Sequence, residues 1–373
     1  MRIAMLCSGH AVDDPRVMRK QAASLAGMGH EVIVFGRGEG GPAKRSGVVL
    51  HPLDPLGGGL ARRARLVPKL AEAAAEWNPD VVACHEPESA LAGLRVKRRT
   101  GARMLFDVHE LFHESLSSRL AWPLRPAVRC ASAALLRYLG RRADWVTVVS
   151  PFNLAFYRAA RGDDRVEIIH NGPIMELFPP CRQDVAGPVT VCHEGNLDRG
   201  RGMVQLLEGL ALARRHADVR LLVVGEVRPG DRALFEEKTG ALGLRGAVEM
   251  PGWVDYDGVG AVLSRGQIGV VAMQPTPNNY LSLSNKLYNY MCSAMPVIAP
   301  AGSATADLVL REDCGVAVDV TRPDAIAEAI VRLAGDRPLR ERLGARGRRA
   351  IQQRYGWHVM EKRLAEIYAQ LAR

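Results

Sequence analysis

The chain lacks most of the features that assign a protein to a class at sight. Only 5% of its 373 residues are aromatic, and lysine supplies seven of its 50 basic residues, at positions 20, 44, 69, 97, 238, 286 and 362, arginine the others. The seven cysteines, Cys7, Cys84, Cys130, Cys181, Cys192, Cys292 and Cys314, are odd in number and form no Cys-x-x-Cys pair. Several lie in apolar runs, which predicts buried reduced thiols and argues against disulfides or a metal site. No N-terminal leader is legible: Met1 to Cys7 is apolar, but Ser8-Gly9-His10 interrupts it too early for a signal peptide or membrane span, so a cytoplasmic protein is expected. A clear Gly-x-Gly-x-x-Gly after the first strand is absent as well, which argues against a dinucleotide oxidoreductase.

What is present is ordinary in bulk. With 47% hydrophobic and 24% charged residues the chain is a soluble globular protein, neither disordered nor membranous. It is too long for one ordinary core, so two domains are expected, 1–178 and 179–355, parted at Pro179-Pro180 and followed by a closing segment, 356–373. The basic residues, 50 against 40 acidic, leave a net charge of +10. That excess fits phosphorylated substrates or an anionic membrane surface; nucleic acid is not an expected partner.

In the first half, Ile3 to Cys7 reads as a strand buried on both faces, with Ser8-Gly9-His10 as the turn after it. Asp14-Pro15 supplies an N-cap and a first-turn proline, Val17, Gln21, Leu25 and Met28 share one helical stripe, and Gly29 stops the helix before the strand Val32 to Phe35. In such a βαβ unit ligands bind at the carboxyl ends of the strands, where Gly9, His10, Asp13 and Arg16 then stand. Gly36 to Gly47 and Gly57-Gly58-Gly59 read as loops. A helix, Ala61 to Glu76, precedes the strands Val81 to Cys84, Met104 to Val108, Trp145 to Ser150 and Val166 to Ile169. His109 and Glu110 directly follow a strand, so the imidazole lies at the ligand edge. From Arg119 to Arg142, Val128, Leu135, Leu136 and Leu139 share a face while Arg119, Arg125, Arg129, Arg137, Arg141 and Arg142 add charge beside Trp122. Such a helix packs on the sheet or lies on anionic lipid.

The second half restarts the pattern at Val189 to His193, followed by the glycine-rich turn Glu194 to Gly202 and a helix, Met203 to Arg215. That turn lets backbone N–H groups approach a pyrophosphate, with Arg201 as a bidentate cation. Strands follow at Val219 to Val224, Val248 to Val254, Ile268 to Ala272 and Val316 to Val318, and helices at Asp324 to Ala334, Leu339 to Ile351 and Val359 to Leu371. Asp255-Tyr256-Asp257 matches an Asp-x-Asp metal pattern but reads more simply as the cap of a helix ending near Ser264, so no metal is expected. Gln274 to Ser284 is a polar loop; Ser284 or Asn285 caps the helix Lys286 to Ser293, and Met295-Pro296 releases the strand Val297 to Ala299. A helix N-terminus beside Lys286 calls for an anion, phosphate above all.

Ser282 to Pro300, Ser-Leu-Ser-Asn-Lys-Leu-Tyr-Asn-Tyr-Met-Cys-Ser-Ala-Met-Pro-Val-Ile-Ala-Pro, resembles the nucleotide-sugar signature of the retaining glycosyltransferases of family 4, in the branch that reads Asn-Lys-Leu-x-Glu-Tyr-Met. Asp14-Pro15-Arg16-Val17 with Gly29-His30-Glu31-Val32, Asp107-Val108-His109-Glu110, His170-Asn171-Gly172-Pro173 and Arg201-Gly202 extend the resemblance over nearly the whole chain. It implies a GT-B fold: two doubly wound Rossmann-like domains facing a central cleft, with a C-terminal helix crossing back to the first. The implied activity is metal-independent transfer from a nucleotide sugar, UDP-linked by family prior, to a small-molecule or lipid-linked hydroxyl acceptor, the nucleotide sugar being a substrate and no cofactor being required. On this resemblance His109, Arg201 and Lys286 serve catalysis. Gly9, Gly195, Asn196, Arg199, Gly202, Trp253, Val254, Ser284, Asn285, Leu287 and Asn289 bind the donor, and His10, Asp13, Arg16 and Glu110 the acceptor. Three positions depart: Leu281 and Asn289 replace the acids of the family's Glu-x7-Glu motif, and Asn196 replaces an arginine for which Arg199 compensates. Asn289 is then expected to hold the ribose with less charge assistance than a glutamate. The rival reading is a nucleotide-sugar-binding protein without transferase activity.

Overall fold

The computed structural model describes residues 1–55, 59–117 and 122–373. Gly57, Gly58 and Arg119 lie outside the described residues. Two compact units divide the chain, Met1–His170 with Met360–Arg373, and Asn171–Val359.

Among the described residues the first unit holds an eight-stranded sheet of β1 (Arg2–Ala11), β2 (Glu31–Arg37), β3 (Ala43–Arg45), β4 (Val48–Asp54), β5 (Val81–Cys84), β6 (Arg103–Val108), β7 (Trp145–Val148) and β8 (Val166–Ile168). Its order is β3-β4-β2-β1-β5-β6-β7-β8, parallel throughout except for the edge pair β3–β4. A parallel strand covered by helices on both faces must be apolar at successive positions, and Ile3 to Cys7 and Val81 to Cys84 are fully buried. The covering helices are α1 (Ala23–Gly27), α2 (Leu60–Trp77), α3 (Pro87–Thr100), α4 (Phe112–Ser117), α5 (Arg125–Arg142) and α6 (Pro151–Arg161). Leu70, Leu136, Leu139 and Tyr157 pack from these helices onto Phe35, Val82 and Phe106 of the sheet. Each such side chain contributes about 1.5–3 kcal/mol by leaving water.

Two expectations fail in this unit. The first strand does not turn at Ser8: β1 continues to Ala11, because the N–H groups of Ser8, Gly9 and His10 all donate to the carboxylate of Glu86. Nor is Gly36 to Gly47 all loop, since β2 runs to Arg37 and Ala43–Arg45 forms an antiparallel edge with β4. An exposed Ala-Lys-Arg edge has no apolar alternation to betray it.

The second unit holds six parallel strands in the order β11-β10-β9-β12-β13-β14. They are β9 (Val189–Glu194), β10 (Val219–Val224), β11 (Val248–Glu249), β12 (Ile268–Val270), β13 (Val297–Pro300) and β14 (Gly315–Val318). Its helices are α7 (Met203–Ala213), α8 (Arg232–Ala241), α9 (Tyr256–Leu263), α10 (Pro277–Leu281), α11 (Asn285–Cys292), α12 (Ala304–Arg311), α13 (Pro323–Gly335) and α14 (Arg337–Ala350). β11 stops well short of the expected Val254, since Pro251-Gly252 ends the extended run. The loop before α11 is also less irregular than expected: Thr276 caps the short α10 through its side chain, which accepts from Asn279 N.

The last helix, α15 (Trp357–Leu371), begins in the second unit, and its residues from Met360 onward pack with the first. There Met360 Sδ accepts from His170 N at 3.2 Å, and Tyr368 is fully buried.

Candidate active site

In the second unit the carboxyl end of β9 and the N-terminus of α11 bring the charged residues together. Ser284 occupies the N-cap of α11 in extended conformation, but its side chain caps nothing, contrary to expectation. The first turn therefore presents backbone donors without a side-chain oxygen in front of them. Lys286, in that turn, is buried, with Nζ 3.4 Å from His193 Nε2. Burial above all, and the positive charge of Arg201 next, push this amine down to about 7. Burial also holds the His193 imidazole well below its usual range, and its Nε2 lies between Lys286 Nζ and the carbonyl oxygen of Asn196, 3.4 Å from each.

Arg201 folds back over the glycine turn. Its NH1 donates to Asn196 O at 2.9 Å, and a Cβ placed on Gly195, which has φ +84°, would stand 3.5 Å from that nitrogen. Asp198 shapes the turn by accepting from Arg201 N at 2.9 Å and pairing with Arg228 Nε at 2.9 Å. Gly202, also at positive φ, has a packing role: a Cβ there would lie 2.1 Å from Ala272 O, so only glycine lets α7 start this close to the sheet.

Several expected donor contacts stand elsewhere. Arg199 does not compensate for Asn196, because its exposed guanidinium is spent on Asp231, Nε to Oδ1 at 2.8 Å. Leu287 is fully buried in the core beneath α11, and Val254 packs against the same core. Trp253 beside it is 68% exposed. Asn285 lies at the open first position of α11. Asp255 takes the N-cap position of α9 without a side-chain cap bond. Asn289 is buried and donates from Nδ2 to Glu194 Oε1 at 2.7 Å. Its amide donors thus face a carboxylate of the same unit.

The first unit collects its charges at the carboxyl ends of β1, β5 and β6. Glu86, buried, accepts from Ser8 N at 2.8 Å and from Gly9 N and His10 N at 3.1 Å each. Burial opposes its charge, but His10, His109 and the Ser8 N–H outweigh it and hold the carboxyl below its usual range. His10 sits between acids, with Nδ1 3.4 Å from Asp14 and Nε2 3.7 Å from Glu86. Burial works against its protonation, yet the Asp14 hydrogen bond and the charges of Glu86, Asp14 and Glu110 raise it to about 9. His10 Nε2 lies 2.9 Å from His109 Nε2, and His109 Nδ1 lies 3.7 Å from Asp107 Oδ2. The imidazole expected at the sugar thus lies between His10 and Asp107.

Asp107 is the centre of this unit's polar interior. It accepts from Arg16 Nε and NH2, Gln21 Nε2 and Thr147 Oγ1, and lies 3.2 Å from His85 Nδ1. Arg16 consequently turns inward and does not reach toward an acceptor, whereas Asp13 and Glu110 are exposed. His85, Asp107 and His109 also bring potential metal-ligand atoms within 4.8 Å of one another. A cation there would compete with Arg16 for a carboxylate whose lone pairs are already engaged. Glu86, Asp107, His193 and Glu194 are not among the expected site residues, although Asp107 opens the motif Asp107-Val108-His109-Glu110 and Glu194 the glycine-rich turn. Their signal is faint: each is a polar residue within or just after an apolar strand.

The sequence model of Glycosyltransferase Family 4 matches residues 15–173, and that of Glycosyl transferases group 1 matches residues 188–336. Among curated relatives, alpha-D-kanosaminyltransferase of Streptomyces kanamyceticus is 24% identical over 269 residues, 70% of this chain and 66% of that one. Phosphatidyl-myo-inositol mannosyltransferase of Mycobacterium leprae is 28% identical over 300 residues, 79% of this chain and 74% of the relative. Among solved structures, sucrose-phosphate synthase from Thermosynechococcus elongatus superposes with a TM-score of 0.80 at 21% identity, over 100% of this chain and 99% of that one. HepE of Anabaena in complex with UDP-glucose superposes with a TM-score of 0.75 at 18% identity, over 99% and 100%. With two family models matched in tandem and GT-B neighbours covering it end to end, the chain has the GT-B fold and belongs to the glycosyltransferases of family 4 and group 1.

Proposed function

We propose that this protein transfers a glycosyl group from a UDP-sugar, bound by the second unit, to a hydroxyl of an acceptor bound by the first, with retention at the anomeric carbon and without a divalent metal. One observation carries the reading: Arg201 and Lys286 converge with the Gly195 turn and the open N-terminus of α11. Cleavage of a nucleotide sugar puts its developing charge on the departing diphosphate. Fixed cations and backbone donors at that point lower the barrier, and the departing phosphate itself can take the acceptor proton. UDP is favoured by the UDP-glucose complex of HepE, and retention by the resemblance of Ser282 to Pro300 to the retaining signature.

On the acceptor side, His10 and Glu110 edge a cavity of about 220 Å³ whose wall includes Arg63, Leu91, Phe112 and Leu135. The lining joins these apolar side chains to the cationic His10 and Arg63 and to the acids Glu86, Glu88 and Glu110, which suits an acceptor with both hydroxyls and an apolar part, such as a lipid-linked one reached by a cytoplasmic protein resting on an anionic membrane. The rival, a binding protein without turnover, draws on Leu281 and Asn289.

Radiolabelled nucleotide sugars tested for product, with calorimetry of UDP binding, decide between them. Arg201→Ala and Lys286→Ala should each weaken UDP at least about tenfold, by loss of a charge-assisted hydrogen bond. Wild-type affinity in both would remove the site. EDTA should leave the rate unchanged; loss of turnover restored by Mn²⁺ would show that a metal is needed. Tight UDP binding with no product from any donor would favour the rival.

A further inference from the structure

The departure at Asn289 removes a carboxylate from α11, and the structure puts another in contact with that residue. Glu194, the last residue of β9, sits with Oε1 2.7 Å from Asn289 Nδ2, and its backbone N–H donates to the hydroxyl of Tyr290 at 2.7 Å. Lys286 and Asn289 are three residues apart and so share one face of α11. Lys286 meets His193 on that face and Asn289 meets Glu194, the two final residues of β9.

We propose that Glu194, oriented by Asn289, is the acid that accepts hydrogen bonds from the ribose hydroxyls of the donor nucleotide, the carboxylate having moved from the helix to the strand. The inference rests on the nucleotide-sugar reading above. In a nucleoside diphosphate the ribose adjoins the diphosphate, so its hydroxyls need an acceptor close to the phosphate-binding cations. Two acids stand near Arg201 and Lys286. Asp198 is committed to Arg201 N and Arg228. Glu194 gives one oxygen to Asn289, and an ionised carboxylate has further lone pairs with which to accept two hydroxyl donors. Asn289 is buried and spends its Nδ2 donor on Glu194, which fixes that carboxylate in place.

A purely electrostatic role for Glu194 predicts the opposite response to substitution, which makes the test clean. Removing an acid beside Lys286 and Arg201 strengthens the field that attracts a diphosphate, whereas removing a ribose acceptor weakens binding. Calorimetry would compare UDP with its deoxy analogues, each lacking one ribose hydroxyl, on wild type, Glu194→Gln, Asn289→Glu and the double variant, all checked by thermal melting. Wild type should lose about tenfold when the contacted hydroxyl is missing. Glu194→Gln should weaken UDP by a similar factor and abolish the discrimination. Asn289→Glu alone should also weaken UDP, because it sets two carboxylates at hydrogen-bonding distance, while Glu194→Gln/Asn289→Glu should recover affinity and discrimination together.

Tighter UDP binding by Glu194→Gln, or discrimination that survives it, would overturn the inference and leave the functional reading intact. If wild type binds none of UDP, GDP or ADP, the nucleotide-sugar reading itself fails and takes the inference with it.

Discussion

The guanidinium of Arg16 lies edge-on against the carboxylate of Asp107, Nε to Oδ2 at 3.0 Å and NH2 to Oδ1 at 2.8 Å, both residues buried. NH2 donates a further bond to Ile169 O at 3.2 Å, tying the helical segment after β1 to β6 and to the end of β8. The residue that its place after the first strand marks for the acceptor is instead a strut of the fold. Asp107 is held well below the carboxylate range: burial opposes its charge, and Arg16, His109 and His85 outweigh that.

Breaking this pair from one side should cost stability. Arg16→Met leaves a buried carboxylate short of its counter-charge, a loss of about 3–5 kcal/mol. Asp107→Asn should cost a comparable amount by stranding the guanidinium. Urea denaturation measures both, and a change below about 1 kcal/mol would show that solvent reaches the pair.

His10 should make stability fall at alkaline pH. Its pKa is raised on folding to about 9, so its contribution is fully present below the unfolded value near 6.5 and is lost as pH rises through about 9. With 31% of the side chain exposed, solvent screening reduces the effect to about 1–2 kcal/mol. Melting temperatures of wild type should decline over that window, and those of His10→Gln should decline less.

Lys286 should link UDP binding to proton uptake. Its amine sits at about 7 in the unliganded protein, and a bound diphosphate favours the charged form. Affinity should therefore be level below about pH 7 and fall above it, by at most about tenfold per pH unit. Calorimetry at pH 8 in buffers of different ionisation enthalpy should register uptake of a fraction of a proton. Identical enthalpies in all buffers would mean that the amine is already charged.

The α5 surface should bind anionic lipid. Arg125, Arg129, Arg137, Arg141 and Arg142 face a helix sequence without an acidic residue, and Leu135 and Tyr138 are exposed among them. Part of this charge has partners, since Arg129 lies 3.8 Å from Glu114 and Arg137 stacks on Phe156. Sedimentation with phosphatidylglycerol vesicles should exceed that with phosphatidylcholine and fade with salt. Each arginine changed to glutamine should cost up to about 1 kcal/mol.

The sequence by itself determined the two parallel sheets and the helix-and-strand unit that holds Lys286. Parallel strands covered on both faces have to be continuous apolar runs, and Val81 to Cys84 or Val297 to Ala299 permit little else. The edge strand β3, solvated and short, left no such mark. Asp14, Pro15 and Gly29 bounded the first helical segment by local chemistry alone, and Arg201 and Lys286 were legible because glycine turns and helix starts that bind anions have local signatures.

Only the tertiary structure decided how those charges are partnered. Asn289 and Glu194 are 95 positions apart, Arg16 and Asp107 are 91, and His10 and His109 are 99. A charge taken out of water is stabilised by whichever opposite or hydrogen-bonding group the fold brings within about 3 Å. That distance depends on strand order and on the packing of α11 against the end of β9, which no local stretch of sequence encodes. So Arg16 and Arg199 went to Asp107 and Asp231, and the amide of Asn289 to Glu194.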